Sequence, residues 1–150
     1  MALAPPRSLH ERRHDALKRL ESDIDLWVST AGQDGVPYLV PLSFLWTDGI
    51  FLVATPPTSP TARNLTASGR VRLSLGPTRD VVLVEGTARP LTTDELGTRG
   101  DAYAERTGWD PRTDRTAYQF FQIEPQRIQA WREVNELKGR DLMRDGVWLD

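Results

Sequence analysis

The stretch Val36-Pro37-Tyr38-Leu39-Val40-Pro41-Leu42-Ser43-Phe44-Leu45-Trp46, followed by Asp48-Gly49, Ile50-Phe51-Leu52-Val53-Ala54-Thr55 and Ser59-Pro60-Thr61-Ala62-Arg63-Asn64-Leu65-Thr66-Ala67-Ser68-Gly69, decides the fold. Every even position from Val36 to Trp46 is large and apolar, the period-two signature of a strand with one face fixed on a core. Asp48-Gly49 is a pair favoured in tight hairpins, so Ile50–Thr55 is expected to return as a second, more buried strand. Ser59 then reads as an N-cap, Pro60 as the first helical residue and Gly69 as the residue just past the helix end. Thr55 is thereby delivered beside a helix N-terminus carrying hydroxyls and Arg63. Free N–H groups and the positive end of the helix dipole make such a place suited to a phosphate.

Pro41 interrupts an otherwise strong strand pattern. Proline cannot donate to a ladder, so it belongs on a sheet edge or where pairing stops. Two readings follow: a plain edge strand, or backbone near Pro41 and Ser43 left free for a planar heterocycle.

Upstream, Ser8-Leu9-His10-Glu11 reads as a capping box opening a helix to about Glu21, with Leu9, Ala16, Leu17 and Leu20 on one stripe. His10 and His14 lie one turn apart but sit among Glu11, Arg12, Arg13, Asp15 and Lys18, the composition of a solvated face, and no third ligand is evident. No metal is expected. Ile24–Thr30 is a strand with Ile24, Leu26 and Val28 inward.

Downstream, Arg70–Leu75 alternates with Val71, Leu73 and Leu75 inward. A long strand runs from Val81 to Arg89, and Gly86 in its interior suggests a bulge or a close backbone approach. Glu85 beside it reads as the partner of an arginine. Thr92-Thr93-Asp94-Glu95 opens a helix to about Arg106, ending near Gly108. The polar loop Trp109–Thr116 is a candidate lid or dimer contact. Tyr118–Ile123 and Arg127–Trp131 read as two strands closing the sheet around Pro125. Asp145-Gly146 turns a terminal hairpin, Leu142–Arg144 against Val147–Leu149, whose apolar surface needs covering.

These motifs carry a resemblance. The order and spacing of Pro41-Leu42-Ser43-Phe44, Ala54-Thr55, Thr61-Ala62-Arg63-Asn64-Leu65, Arg70–Leu75 and Val84-Glu85-Gly86-Thr87-Ala88 resemble the pyridoxamine 5'-phosphate oxidase-like flavin-binding split-barrel superfamily over roughly Asp23 to Trp131. The resemblance implies a mainly β (α+β) chain forming a six-stranded antiparallel split β-barrel with flanking helices. It implies FMN, or the deazaflavin coenzyme F-420, bound between the subunits of a homodimer. Cofactor contacts would then come from Val40, Pro41, Leu42 and Ser43 along the ring, and from Thr55, Ser59, Thr61, Arg63 and Asn64 at the phosphate. Many members carry lysine where this chain has Thr61, so the positive charge would rest on Arg63 or Arg72. Trp131 or the C-terminal tail is expected near the partner's ring.

Composition narrows the chemistry. A formal net charge of −2 gives no electrostatic reason for a nucleic acid or anionic membrane partner. The absence of cysteine removes disulfides and thiolate chemistry. At 150 residues and 39% hydrophobic content the chain is expected to be one domain, and nothing in it reads as a membrane span or signal peptide, so a cytoplasmic protein is the expectation. No phosphate-binding glycine loop, serine elbow or carboxylate pair stands out, and no catalytic side chain can be assigned. That poverty fits chemistry performed by a cofactor, with hydride transfer to or from a small organic substrate. The alternative from another class is a cofactor- or haem-binding module without turnover.

Overall fold

The computed structural model describes residues 2–150. The elements in order are α1 (Leu9–Ser22), β1 (Asp25–Ala31), β2 (Pro37–Thr47), β3 (Ile50–Thr55), α2 (Pro60–Ser68), β4 (Arg70–Leu75), β5 (Val81–Pro90), α3 (Thr93–Leu96), α4 (Arg99–Thr107), β6 (Gln119–Trp131), β7 (Asp141–Arg144) and β8 (Val147–Trp148). All pairings are antiparallel in the order β3-β2-β1-β4-β5-β6, and β3 also pairs with β6, closing a six-stranded barrel. The β7–β8 hairpin extends the sheet from the second half of β6.

Local signals built the elements as the sequence demanded. Asp48 and Gly49 both take positive φ, at 51° and 76°, the geometry of a two-residue hairpin turn whose twist matches the strands it joins. Ser59 Oγ accepts from the Ala62 N–H at 3.1 Å, Pro60 opens α2, and Gly69 closes it at φ 69°. A residue with a Cβ would be strained at that angle. The register shifts between Glu85 and Gly86, where a Cβ would stand 2.9 Å from both the Glu124 oxygen and an Ile123 methyl.

The barrel interior is filled by Val28, Phe44, Phe51, Val53, Leu73, Val84, Phe121, Ile123 and Ile128, with α1 contributing Ala16 and Leu20 and α2 contributing Ala62 and Leu65. A second apolar layer lies outside the barrel. Leu45, Leu52, Ala54 and Phe120 meet Leu91, Leu96 and Tyr103 from the α3–α4 segment, which leaves β3 buried on both faces.

Several expectations are corrected. Ile24 precedes β1 and is 43% exposed, so only Leu26, Val28 and Thr30 point inward. Of the expected even-numbered face, Val36 lies before β2 and is exposed, Tyr38 is also exposed, and Phe44 alone is fully buried. Arg12 is not on the solvated face: it is buried, and its Nη1 donates to the backbone carbonyls of Ala130 and Glu136. The helix expected from Thr93 to Arg106 is broken at Gly97, whose φ of 56° and ψ of −142° no helix accepts. The strands around Pro125 are a single 13-residue strand, because Pro125 lies opposite the bulged Gly86. Within the loop 109–116, whose part as a lid or dimer contact these bonds leave open, Trp109 Nε1 donates to Asp114 and Arg112 binds Asp110 and Asp101. Finally, the chain itself covers part of the terminal hairpin: Leu142 and Met143 are buried in the barrel core and Trp148 is packed beside them, whereas Val147 is exposed.

Candidate functional site

Strand β2 changes partners along its length. Residues 37–43 pair with β1, whereas residues 44–47 pair with β3. Its first half therefore has a ladder on one side only. The Phe44 N–H donates to the Ile24 carbonyl, so by the alternation of antiparallel pairing the even residues turn their amides to β1 and the odd ones turn away from it. The odd residues are Pro37, Leu39, Pro41 and Ser43. Both prolines thus stand where the missing N–H would have faced open space, which is the arrangement proline requires in a sheet. The free edge offers the carbonyl oxygens of Pro37, Leu39 and Pro41 and the N–H groups of Leu39 and Ser43.

The candidate ring contacts divide between two faces. Val40 and Leu42 pack inward against the barrel core, so a group outside the barrel reaches them only through their backbone. Pro41 and Ser43 face outward. Ser43 Oγ donates to Asp25 Oδ1 at 2.7 Å, and the Ser43 carbonyl accepts from Tyr103 Oη at 3.2 Å. Burial, aided by the charge of Asp25, raises the pKa of Tyr103, which keeps its hydroxyl a donor.

The phosphate candidates cluster at the barrel end capped by α2. Thr55 and Thr61 are buried, Thr55 Oγ1 lies 2.9 Å from Ser59 Oγ, and Asn64 Nδ2 donates to Thr30 Oγ1 at 3.1 Å. Ser59 thus caps Ala62, and Pro60 has no amide hydrogen, which leaves the Thr61 N–H as the open donor of the first turn. Arg63 is exposed on that turn and has no carboxylate partner among the described residues. Arg72, the other cation considered, is held by Glu85 on the neighbouring strand. The charge for an anion at α2 therefore falls to Arg63.

Trp131 is not brought to this cluster. It pairs with Val81 at the far end of β6, and the Arg140 guanidinium lies 5.7 Å from its ring centre. His10 and His14 are exposed on α1. Sequence reasoning missed Trp27, which pairs with Pro41, faces outward and is 49% exposed. Its position out of phase with Leu26 and Val28 carried that information. Across the same outer face, the register aligns Pro41, Trp27, Ser74, Leu83 and Gln129 on five consecutive strands. A parallel row alternates charge: Arg72 on β4, Glu85 on β5, Arg127 on β6 and Asp141 on β7.

No curated protein matches the sequence. Solved structures of the same architecture are numerous. An FAD-binding protein from Mesorhizobium loti superposes with a TM-score of 0.62 at 21% identity, covering 77% of this chain and 89% of that one. An F420 reductase superposes at 0.61 and 18% identity, covering 74% and 93%. A heme-binding protein from Mycobacterium smegmatis superposes at 0.70 and 18% identity over 96% of this chain, but only 60% of its own. These likenesses establish the fold. The family model for pyridoxamine 5'-phosphate oxidase matches residues 14–132, from the middle of α1 through the last barrel strand. With the closed six-stranded barrel and its capping helix in the places that model spans, the chain belongs to the pyridoxamine 5'-phosphate oxidase-like split-barrel family.

Proposed function

We propose that the protein binds a flavin-type cofactor, FMN in the first instance, and uses it as an oxidoreductase on a small organic substrate. The observation that carries this reading is the unpaired half-edge of β2, which ends beside the α2 N-terminus. A flavin ring presents an imide edge of alternating acceptors and one donor, and the carbonyls of Pro37, Leu39 and Pro41 with the N–H groups of Leu39 and Ser43 are complementary to it. Outward-facing Pro41 and Trp27 supply a flat apolar surface beside that edge. Arg63 and the Thr61 N–H would hold the phosphate. The cofactor supplies hydride transfer; the chain's own contribution is to orient the ring, keep one face dry and leave the other to substrate.

One observation favours a second reading, in which the cofactor is the deazaflavin coenzyme F-420. Thr61 stands where many family members have lysine, and Arg72 is spent on Glu85, so a compact phosphate gains less charge here than in those members. The haem-module reading has weaker support, because both histidines of the chain lie on the exposed side of α1, away from this edge.

A second copy of the chain is proposed to complete the site. Trp27 and Leu39 on the outer face of β1 and β2 are 49% and 59% exposed, the kind of apolar patch that a homodimer covers. The deciding experiment is a visible spectrum of freshly purified protein, with titration of apo protein by FMN and by the deazaflavin. Bands of oxidised flavin, or saturable FMN binding near micromolar concentration, support the first reading. Binding of the deazaflavin alone supports the second, and a haem Soret band with neither refutes both.

A further inference from the structure

We infer that the pocket between α3 and the segment leading into β6 is a binding site for a small primary amine, an ammonium group carried on a flat apolar body. It lies apart from the cofactor site proposed above, because no residue of the β2 edge or of the α2 N-terminus lines it. Its volume is about 630 Å³, within the range of small-molecule sites. Leu91 and Leu96 line it from the α3 side, and Pro111, Tyr118 and Phe120 from the β6 side.

The β6-side wall is held in place by the chain itself. Arg112 donates to Asp101 on α4 at 2.7 Å and to both oxygens of Asp110 at 2.9 and 3.0 Å. Gly100 makes room for that guanidinium, since a Cβ there would stand 2.7 Å from Arg112 Nη1. Trp109 packs edge-on against Tyr118 with ring centres 4.8 Å apart, and also meets Tyr103, whose ring contacts Phe120. Asp114, on the same wall, is fixed as well: Oδ2 accepts from Trp109 Nε1 at 3.1 Å and Oδ1 from the Thr116 N–H at 2.9 Å. Both donors are uncharged, so they orient the carboxylate without neutralising it.

Charge balance selects the ligand class. Asp114 has no ion-pair partner among the described residues, because Arg112 is engaged by Asp101 and Asp110 and the exposed Arg115 bonds to no carboxylate. Two guanidiniums and three carboxylates thus stand around this loop, one negative charge in excess. The hydroxyls of Thr93, Thr116 and Tyr118 also line the pocket, and they make no hydrogen bond among the described residues. A primary ammonium carries three N–H donors, for which the carboxylate and these hydroxyls are acceptors; an anionic ligand would instead face Asp114 unpaired. Aromatic surface at Tyr118 and Phe120 attracts a cation further, and the leucines add affinity only for a ligand with an apolar body.

The test is titration calorimetry of the full-length protein with 2-naphthylmethylamine, 2-naphthylmethanol and 2-naphthoate at neutral pH and one ionic strength. We expect the amine to bind one per chain, with the alcohol and the acid each at least tenfold weaker. Asp114→Asn keeps an oxygen to accept from the Thr116 amide and removes the charge. It should weaken the amine at least tenfold and leave the alcohol unchanged, with circular dichroism and melting temperature kept, and Asp114→Glu should recover part of the loss. Should Asp114→Asn fail to fold, the wild type decides: raising salt from roughly 0.05 to 0.5 M should weaken the amine at least threefold and leave the alcohol unchanged. Absence of amine binding, equal binding of amine and alcohol, equal or tighter binding of the acid, full affinity in Asp114→Asn, or amine binding indifferent to salt overturns the site. Arg63→Ala is expected to leave amine affinity unchanged; a parallel loss would put the ligand at α2 and overturn it too. Because no arm uses a flavin, failure here and failure of the cofactor reading are read separately.

Discussion

Arg63 stands on the first turn of α2 with its guanidinium in solvent, beside Thr61, whose amide is the open donor of that turn. If a cofactor phosphate sits there, Arg63→Ala should weaken binding by about 1.5–3 kcal/mol, the worth of a charged hydrogen bond. Titration of apo variant and wild type with FMN and the deazaflavin measures it; unchanged affinity for both removes Arg63 from the site. Gly86 allows a sharper test of packing. A Cβ there meets backbone oxygen and a core methyl at 2.9 Å, so Gly86→Ala should cost about 1–3 kcal/mol in denaturant unfolding. An unshifted midpoint would mean that the bulge relaxes freely. Residues of this kind were legible because their causes are local: a cap, a positive φ, a missing amide hydrogen. Arg12 was not, since what buries it is the Ala130 and Glu136 carbonyls, more than a hundred residues away. The surroundings of Trp131 within the chain are likewise set by Val81 and Arg140, not by its own strand pattern.

Elements are where composition and context part. The hairpin from β2 to β3 and helix α2 follow from turn and cap chemistry alone. Their relation to the rest does not, because the partner switch within β2 is a property of the barrel, and period two cannot say which half of a strand lies open. Pro41 hinted at it, but either of its two readings was compatible with an edge. The broken α3–α4 segment shows a different limit: the capping box was correct, yet Gly97 reads in sequence as a tolerable helix residue. That segment touches the candidate edge through one bond, Tyr103 Oη to the Ser43 carbonyl. Tyr103→Phe should therefore lower stability by about 1 kcal/mol. In a chain that binds a cofactor along β2, it should also alter hydrogen exchange at residues 43–45 more than elsewhere. Exchange that changes evenly across the barrel would deny α4 any role in holding that edge.

At the scale of the whole molecule, the two ends of the chain are tied together. Arg7 bonds Glu136 through its backbone N–H, Nε and Nη2 at 2.8–3.0 Å, across 129 residues. Glu136 is 3% exposed, and the Arg7 contacts lower its pKa from 4.5 to about 2. A carboxyl depressed by folding stabilises above its unfolded pKa and loses that stabilisation as pH falls through the folded value. The window is thus pH 4.5 down to 2, and its worth is on the order of 3 kcal/mol. Stability measured against pH should fall in that window for the wild type and much less for Glu136→Gln. Equal slopes would exclude the pair as the source. Because Leu142 lies in the barrel core, Leu142→Ala should cost about 2–5 kcal/mol in the subunit itself, whatever the state of assembly. Sedimentation at micromolar concentration tests the proposed homodimer; a species of 16.9 kDa that still holds its cofactor would end it. The β3–β6 seam has one more consequence, in time rather than in space. Phe51 meets Ile123 across the seam, so a nascent chain cannot close its barrel until β6 has left the ribosome. Until then the outer edge of β3, apolar on both faces, has no strand to pair with. Synthesis at 5–20 residues per second leaves that edge open for several seconds, a window in which a chaperone or a neighbouring nascent chain competes with the molecule's own last strand.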